Sequence, residues 1–240
     1  AQKPGVTDTA PPASAPKKAP GMIRSSAIYS GLTLVSRLMG FVRDLVISYF
    51  LGASANFAAD AFNTAQMFPN LFRRIFAEGA FAAAFVPAYS KTLDRDGPEV
   101  ADKLAADAMA TIAAFTVGLT LVAQATMPWL MMVISPGFGF GTDKYKLAVI
   151  LTQITMPYLP CMAIVALLSG VLNARGKFIV SAAAPILLNL VTLIAVIPTR
   201  NAHDAAVAAS SGIFAAGLAQ VALLVWAVRK AGATIRWRMP

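Results

Sequence analysis

Two arginines and a glutamate lie inside an apolar stretch that is long enough to cross a membrane. Arg73, Arg74 and Glu78 are surrounded by aromatic and aliphatic residues between positions 68 and 85. A charged side chain at bilayer depth is unfavourable by about 2.5 to 3.5 kcal/mol on insertion scales, so it usually faces a bundle interior or a wet cavity. The three charges therefore indicate either a substrate or ion path or a set of ion pairs that lock helices together.

The preceding apolar stretch carries a second group of charges. Arg37 and Asp44 are seven residues apart and share a helix face, while Arg43 lies about 120° round from Arg37. Ser36 and Gly40 are small residues at the spacing that permits close helix approach. We interpret Asp44, Ser36 and Gly40 as helix-locking or gating residues.

Arginine outnumbers acid across these two stretches. Asn70, Arg74 and Glu78 recur every four residues on one helix face, and Asp60 precedes them. Four arginines stand against three acids, so pairing every acid would leave one positive charge. Because a guanidinium stays charged when buried and binds phosphate or carboxylate through paired hydrogen bonds, the surplus favours an anionic, phosphorylated substrate over a proton.

The composition indicates the elements that must position these residues. The 240-residue chain is 58% hydrophobic and 13% charged, against about 25% charged in soluble domains, and its mean hydropathy is +0.66. Six apolar stretches approach or exceed the roughly 20 residues that cross a hydrocarbon core. They cover residues 26–51, 61–90, 106–134, 146–172, 178–198 and 205–228.

These stretches predict an all-α polytopic membrane protein with a six-helix transmembrane lobe at 22–230. Residues 1–21 hold five prolines and three lysines and predict a disordered cytoplasmic tail. Residues 231–240 predict a basic cytoplasmic linker. The mixed-charge segment 91–104 is interpreted as a cytoplasmic loop, with Pro98 suited to start the next helix.

Prolines interrupt several of the predicted helices. Pro69 and Pro87 lie in the second stretch, Pro157 and Pro160 in the fourth, and Pro185 in the fifth. Each proline removes a helical hydrogen bond and frees a carbonyl. Such breaks fit a bundle that bends as it works, and they fit static kinks that aid packing equally well.

The net charge of +9 follows the predicted topology. With a cytoplasmic N-terminus, thirteen lysines and arginines lie on the cytoplasmic side, three on the opposite side and four within helices. This asymmetry obeys the positive-inside rule and predicts that both ends of the chain are cytoplasmic. We therefore expect no nucleic-acid partner.

Nothing in the sequence indicates an enzyme. Cys161 is the only cysteine and His203 the only histidine, so neither a disulfide nor a metal site is expected. No set of residues has the composition of a catalytic triad or of paired acid–base carboxylates. We predict no cofactor and no metal.

Several segments resemble the MurJ/MviN (mouse virulence factor) family of lipid II flippases. The resemblance runs from about residue 22 to the end and includes 60–62 and 135–138. Its clearest motifs are Ser-Arg-Leu-Met-Gly-Phe-Val-Arg-Asp at 36–44, Pro-Asn-Leu-Phe-Arg-Arg-Ile-Phe-Ala-Glu-Gly-Ala-Phe at 69–81 and Ala-Pro-Ile-Leu-Leu-Asn at 184–189. This family belongs to the multidrug/oligosaccharidyl-lipid/polysaccharide exporter (MOP) superfamily.

The resemblance implies two six-helix lobes around a central cavity, plus two further helices. It implies a transporter of the bacterial inner membrane that moves lipid II, the undecaprenyl-pyrophosphate-linked peptidoglycan precursor, from the inner to the outer leaflet by alternating access. The cavity arginines, thought to engage the pyrophosphate, would correspond to Arg37, Arg43, Arg73 and, less directly, Arg74. Asn70, Asp60 and Glu78 match other functional positions of the family.

The family has about fourteen helices, whereas this chain ends after six predicted ones. We expect a fragment whose partners are lipid II, membrane lipids and a C-terminal lobe, although a half-transporter that pairs is also compatible. Alternative functions are a multidrug/cation antiporter lobe, another lipid-linked oligosaccharide exporter of the superfamily, and a scaffold in which the charges are helix locks.

Overall fold

A computed structural model describes residues 20–52, 57–77 and 80–233, so most of the predicted tail and linker lies outside the described residues. Within these ranges the chain is all-α, as predicted, with eight α-helices and one 3-10 turn, Pro136–Phe138. The helices are α1 (Pro20–Leu51), α2 (Phe57–Ala77), α3 (Ala80–Asp96), α4 (Pro98–Ile134), α5 (Asp143–Thr155), α6 (Tyr158–Ala174), α7 (Phe178–Val196) and α8 (Ala202–Lys230).

Four segments of the described chain are long and apolar enough to cross a membrane. They are Pro98–Ile134, Asp143–Ala174, Phe178–Val196 and Ala202–Lys230. Large apolar side chains on their outward faces are exposed, among them Phe115 at 63% and Ile194 at 62%. The predicted count of six is not confirmed, since α1, α2 and α3 are not among these segments. Charges within α1 and α2 lower the hydropathy of those helices, and α3, with 17 residues, is shorter than the roughly 20 residues that a single crossing takes.

The segment 91–104, predicted as a loop, is helical in the structure except at Gly97. Gly97 has a φ of 89°, which is strained for a residue with a side chain. Pro98 then begins α4, as predicted. The loop prediction was wrong because lysine, arginine and glutamate form helices well and can carry a membrane helix beyond its apolar part.

The fourth predicted helix is divided at Met156 and Pro157 into α5 and α6. Pro157 cannot donate to the carbonyl of Gln153, and Gln124 Nε2 of α4 donates to that oxygen instead, at 2.7 Å. The relation is reciprocal: Pro128 leaves the carbonyl of Gln124 free, and Gln153 Nε2 donates to it at 3.1 Å. Two prolines and two glutamines thus join α4 to the α5–α6 break.

The carbonyl freed by Pro69 is satisfied in the same way. Pro69 lies inside α2 and cannot donate to Ala65, whose oxygen instead accepts from Thr155 Oγ1 of α5 at 3.2 Å. Thr155 is fully buried. A hydroxyl from a neighbouring helix thus reaches the freed carbonyl and shares its one proton between that oxygen and the carbonyls of Leu151 and Thr152, each at 3.1 Å. Such side chains help membrane helices to tolerate proline.

The helices pack unevenly around α8. It packs closely on α7, where a Cβ on Gly212 would lie 3.1 Å from Thr192 Cα, so the small-residue pattern of the last stretch marks a true helix contact. α1 packs mainly on α7 and α2 mainly on α5 and α6, whereas α1 and α2 barely touch each other. An open groove is therefore left between α1 and α2.

A buried ion pair holds one end of the bundle. Arg175 Nη2 donates to Asp102 Oδ1 at 2.5 Å and Arg175 Nε donates to Tyr89 Oη at 2.9 Å. The guanidinium also reaches the carbonyl of Ala231 at 3.5 Å. Gly176, with a φ of 73°, ends α6 so that Arg175 points toward these partners from the turn. This set, named here the Arg175 network, joins α3, α4, α6 and the end of α8.

Candidate functional site

The groove between α1 and α2 consists of two cavities of about 460 Å³ and 240 Å³. Arg43, Gln66 and Asn70 line both, so the two cavities are adjacent. The larger cavity is also lined by Asp44, Ser48, Asn63 and Arg74 among others. The smaller one is lined by Ser36, Arg37, Gly40, Pro69, Tyr158 and Asn189 among others. We call this space the α1–α2 groove.

Arg43 lies at the junction of the two cavities and is held from two sides. Its Nε and Nη2 donate to Asp44 Oδ1 at 3.0 and 2.8 Å. Its Nη1 donates to Asn189 Oδ1 of α7 at 3.0 Å. The side chain is 18% exposed, so this guanidinium is oriented and still reachable from the groove.

The described lining of the groove is net positive. Arg37, Arg43 and Arg74 stand against Asp44, three positive charges against one negative. Arg37 and Arg74 are exposed, and no described residue forms an ion pair or hydrogen bond with either guanidinium. Their ten N–H donors, five on each guanidinium, are therefore open to a ligand. Such an array suits an anion with several oxygens, such as a phosphate or pyrophosphate.

Carboxamides extend the polar lining along α2. Asn63, Gln66 and Asn70 lie at i, i+3 and i+7, one helix face, and all three line the larger cavity. Asn70 was predicted from the sequence, whereas Asn63 and Gln66 were missed. The signal was their spacing to Asn70, which puts amides on the face that continues to Arg74. Amides donate and accept hydrogen bonds, so this face can bind neutral polar groups beside a charged one.

The structure brings most of the predicted residues together. Arg37, Arg43, Arg74, Asn70, Asp44, Ser36 and Gly40 all line the groove. The small size of Gly40 implied that a helix backbone packs closely against it. The nearest group is instead a side chain: a Cβ at Gly40 would lie 3.6 Å from Asn189 Nδ2, an ordinary contact. Asn189, which carried no role in the sequence interpretation, is the α7 residue facing it.

Three residues predicted to belong to the site are not found in the described lining of the groove. Asp60 pairs with Lys144 of α5 at 2.5 Å rather than with an arginine, at the end of the bundle where α2 and α5 begin. The backbone of Arg73 belongs to α2, but its side chain lies outside the described residues. Glu78 lies outside them altogether.

The fold and the groove together define a class, a multi-pass α-helical membrane protein with a basic groove open between two of its helices. Residues 47–240 match the family model described as "Lipid II flippase MurJ", and the chain belongs to that family. It is 37% identical over 225 residues to a probable lipid II flippase MurJ of Rhizobium meliloti and 33% identical over 210 residues to one of Rickettsia prowazekii.

These relatives are longer than the chain. The alignments cover 91% and 88% of this chain but 42% and 41% of the two relatives. A solved structure of a lipid II flippase MurJ in an inward closed conformation shares the fold, with a TM-score of 0.67 at 22% identity, over 89% of this chain and 44% of that one. The chain thus spans about two fifths of the length of the proteins it matches.

Proposed function

We propose that this chain is the N-terminal, six-span lobe of a lipid II flippase of the bacterial inner membrane. The intact protein moves the undecaprenyl-pyrophosphate-linked peptidoglycan precursor from the inner to the outer leaflet by alternating access. It is a transporter and not an enzyme, and its C-terminal lobe and membrane lipids are its partners. Arg37, Arg43, Arg73 and Arg74 bind the pyrophosphate, and Asn70 and Glu78 are further substrate-binding residues, whereas Asp60 pairs with Lys144 and holds α2 to α5. Asp44, Ser36 and Gly40 lock or gate the helices.

The observation that carries this proposal is the surplus of arginine over acid among the described lining residues of the groove, in a chain that belongs to the MurJ family. A pyrophosphate carries multiple oxygens that accept hydrogen bonds from guanidinium groups. The groove has one carboxylate among its described lining residues against three arginines. An antiporter lobe for cations would require the opposite balance, so the lipid-pyrophosphate substrate is favoured.

The turn positions support a six-span topology with both ends in the cytoplasm. The Asp60–Lys144 pair joins the starts of α2 and α5 at one end of the bundle. The Arg175 network joins the start of α4, the end of α6 and the end of α8 at the other. The helix ends therefore alternate between the two ends of the bundle as six crossings require. In this arrangement α2 and α3 together form one broken crossing, and α5 and α6 form another. The thirteen-to-three distribution of basic residues then favours the Arg175 end as the cytoplasmic one.

The test replaces Arg37, Arg43 and Arg74 together by alanine in the intact protein, in cells that depend on it for growth. We expect membrane insertion to be retained and lipid II to be absent from the outer leaflet, as measured by its accessibility to an external lipid II-cleaving enzyme. Arg200→Ala, an exposed arginine outside the groove, is the matched control and should leave transport unchanged. Transport by the triple variant at the normal rate would refute the arginine assignment.

A further inference from the structure

The side chain of Asn189 reaches from α7 to two points on α1. Its Oδ1 accepts from Arg43 Nη1 at 3.0 Å, and its Nδ2 donates to the backbone carbonyl of Ser36 at 3.1 Å. Asn189 is 4% exposed, so these bonds form away from bulk water. A guanidinium only donates and a carbonyl only accepts, so this amide orientation alone satisfies both partners.

Arg43 is held by one charged partner, the Asp44 carboxylate, and one neutral partner, the Asn189 amide. Asp44 holds the Nε and Nη2 side, and Asn189 holds Nη1. Three of the five N–H donors are then engaged, and two remain for a ligand. Because Asn189 is uncharged, it adds an orienting contact without placing a second negative charge beside Arg43, and the groove lining keeps its net positive charge. An aspartate in its place would put a second carboxylate beside Arg43 and lower the net positive charge of the groove.

We propose that Asn189 is a positioning residue that presents Arg43 to the anionic headgroup of the substrate. It does so from the fixed α7–α8 side of the lobe, so α1 is held in register with its arginine already facing the groove. Ordering a long side chain before binding removes part of the entropy lost on binding, and that ordering is worth roughly a two- to tenfold change in affinity. The inference rests on the proposed function, in which Arg43 binds the pyrophosphate.

Gln220 provides a matched control for this role. It is a second buried carboxamide, 3% exposed, and its Nε2 donates from α8 to the carbonyl of Ala184 on α7 at 2.7 Å. It bridges two helices as Asn189 does but is not bonded to an arginine. Asn189→Leu and Gln220→Leu therefore remove the same kind of group, and only the first frees Arg43.

The experiment measures binding of undecaprenyl pyrophosphate by the intact protein in lipid nanodiscs. We expect Asn189→Leu to weaken binding roughly fivefold, while Gln220→Leu binds normally. The two variants should lower the unfolding temperature by similar amounts. In an Arg43→Ala background, Asn189→Leu should cause no further loss. A residue with only a structural role would instead give independent, additive losses. Asn189→Ser replaces the leucine variant if that protein is not recovered.

The outcomes separate this inference from the function on which it rests. If Arg43→Ala weakens binding and Asn189→Leu does not, the positioning role is wrong and the proposed function stands. If additive losses appear, or Gln220→Leu weakens binding equally, Asn189 acts through helix packing and the inference is also refuted. If Arg43→Ala itself leaves binding unchanged, the assignment of Arg43 to the substrate fails, and the role of Asn189 fails with it.

Discussion

Arginine has opposite surroundings at two places in this bundle. In the Arg175 network the guanidinium is 12% exposed, contacts Tyr89, Asp102 and Ala231, and pairs with a carboxylate that is 5% exposed. In the α1–α2 groove, Arg37 and Arg74 are exposed, and no described residue pairs with them. One arginine is enclosed by protein, while the others face a cavity.

This contrast distinguishes two roles that arginine can have within a helical membrane bundle. Burial works to lower the pKa of Arg175, but its hydrogen bond to Tyr89 and the charge of Asp102 outweigh that effect and raise it. Its charge is thus used within the protein. The groove arginines stay available, which is what substrate recognition requires. We therefore expect locking in one region and binding in the other, so substitutions should affect stability in the first and ligand affinity in the second.

The largest expected effect comes from breaking the Arg175 network. Arg175→Ala removes the guanidinium that pairs with the buried Asp102 carboxylate, and we expect the free energy of unfolding to fall by about 3 to 5 kcal/mol. Unfolding of the purified protein in detergent measures this. Lys146→Ala, which removes an exposed pair with Asp143 at 3.8 Å, should change it by less than about 1 kcal/mol. Equal effects of the two substitutions would show that the Arg175 network contributes no more to stability than an exposed ion pair.

The glutamines that satisfy the proline-freed carbonyls should come next. Gln124→Leu leaves the carbonyl of Gln153 without a donor, and we expect a loss of about 1 to 2 kcal/mol in the same unfolding measurement. In a Pro157→Ala background the loss should shrink, because the alanine supplies the backbone amide that proline lacks. An unchanged loss in that background would show that Gln124 does not act by replacing the amide.

Substitution of a groove arginine should affect ligand binding much more than stability. Arg74→Ala is expected to change the free energy of unfolding by less than about 1 kcal/mol, because no described residue pairs with this guanidinium. Binding of lipid II in nanodiscs should weaken about tenfold or more, the equivalent of losing a hydrogen bond to a charged group. Arg229→Ala, at the exposed end of α8, is the charge-matched control. A loss of stability without a loss of binding would reassign Arg74 to helix locking.

The smallest effect is expected at Gly40. Its Cβ would lie in ordinary contact with Asn189, 3.6 Å from Nδ2, and alanine favours helix over glycine by about 1 kcal/mol. Gly40→Ala should therefore keep or slightly raise the unfolding temperature. At Gly217, on the packed side, a Cβ would lie 2.6 Å from Tyr158 Cδ2, and alanine should destabilise. Similar outcomes at the two glycines would contradict the distinction between open and packed sides.

Sequence patterns predicted the local features and missed the long-range ones. Helical class, the start of α4 at Pro98 and the polar face ending at Arg74 follow from residues close together in the chain. The Arg175–Asp102 pair joins residues 73 apart, and the Arg43–Asn189 bond joins residues 146 apart. Neither pairing has a spacing signature, because which helices are neighbours depends on how the whole bundle packs.

The charge inventory failed for the same reason. Asp60 was counted against the arginines, since both lie in or near apolar stretches, but its carboxylate meets Lys144 of α5. Arg175 was counted among the basic residues of the cytoplasmic side, and Asp102 lies in the segment predicted as a cytoplasmic loop, yet their side chains are only 12% and 5% exposed. Depth in the membrane can be read from hydropathy, whereas the partner of a charge depends on tertiary contacts.

The most direct test of the separation between locking and binding is the unfolding temperature of the intact protein with and without lipid II. A ligand that binds only the folded state raises this temperature. We predict that the Arg37→Ala, Arg43→Ala, Arg74→Ala triple variant unfolds close to the temperature of the unsubstituted protein without ligand and shows no rise with lipid II. A much lower unfolding temperature without ligand, or a rise equal to that of the unsubstituted protein, would contradict the account.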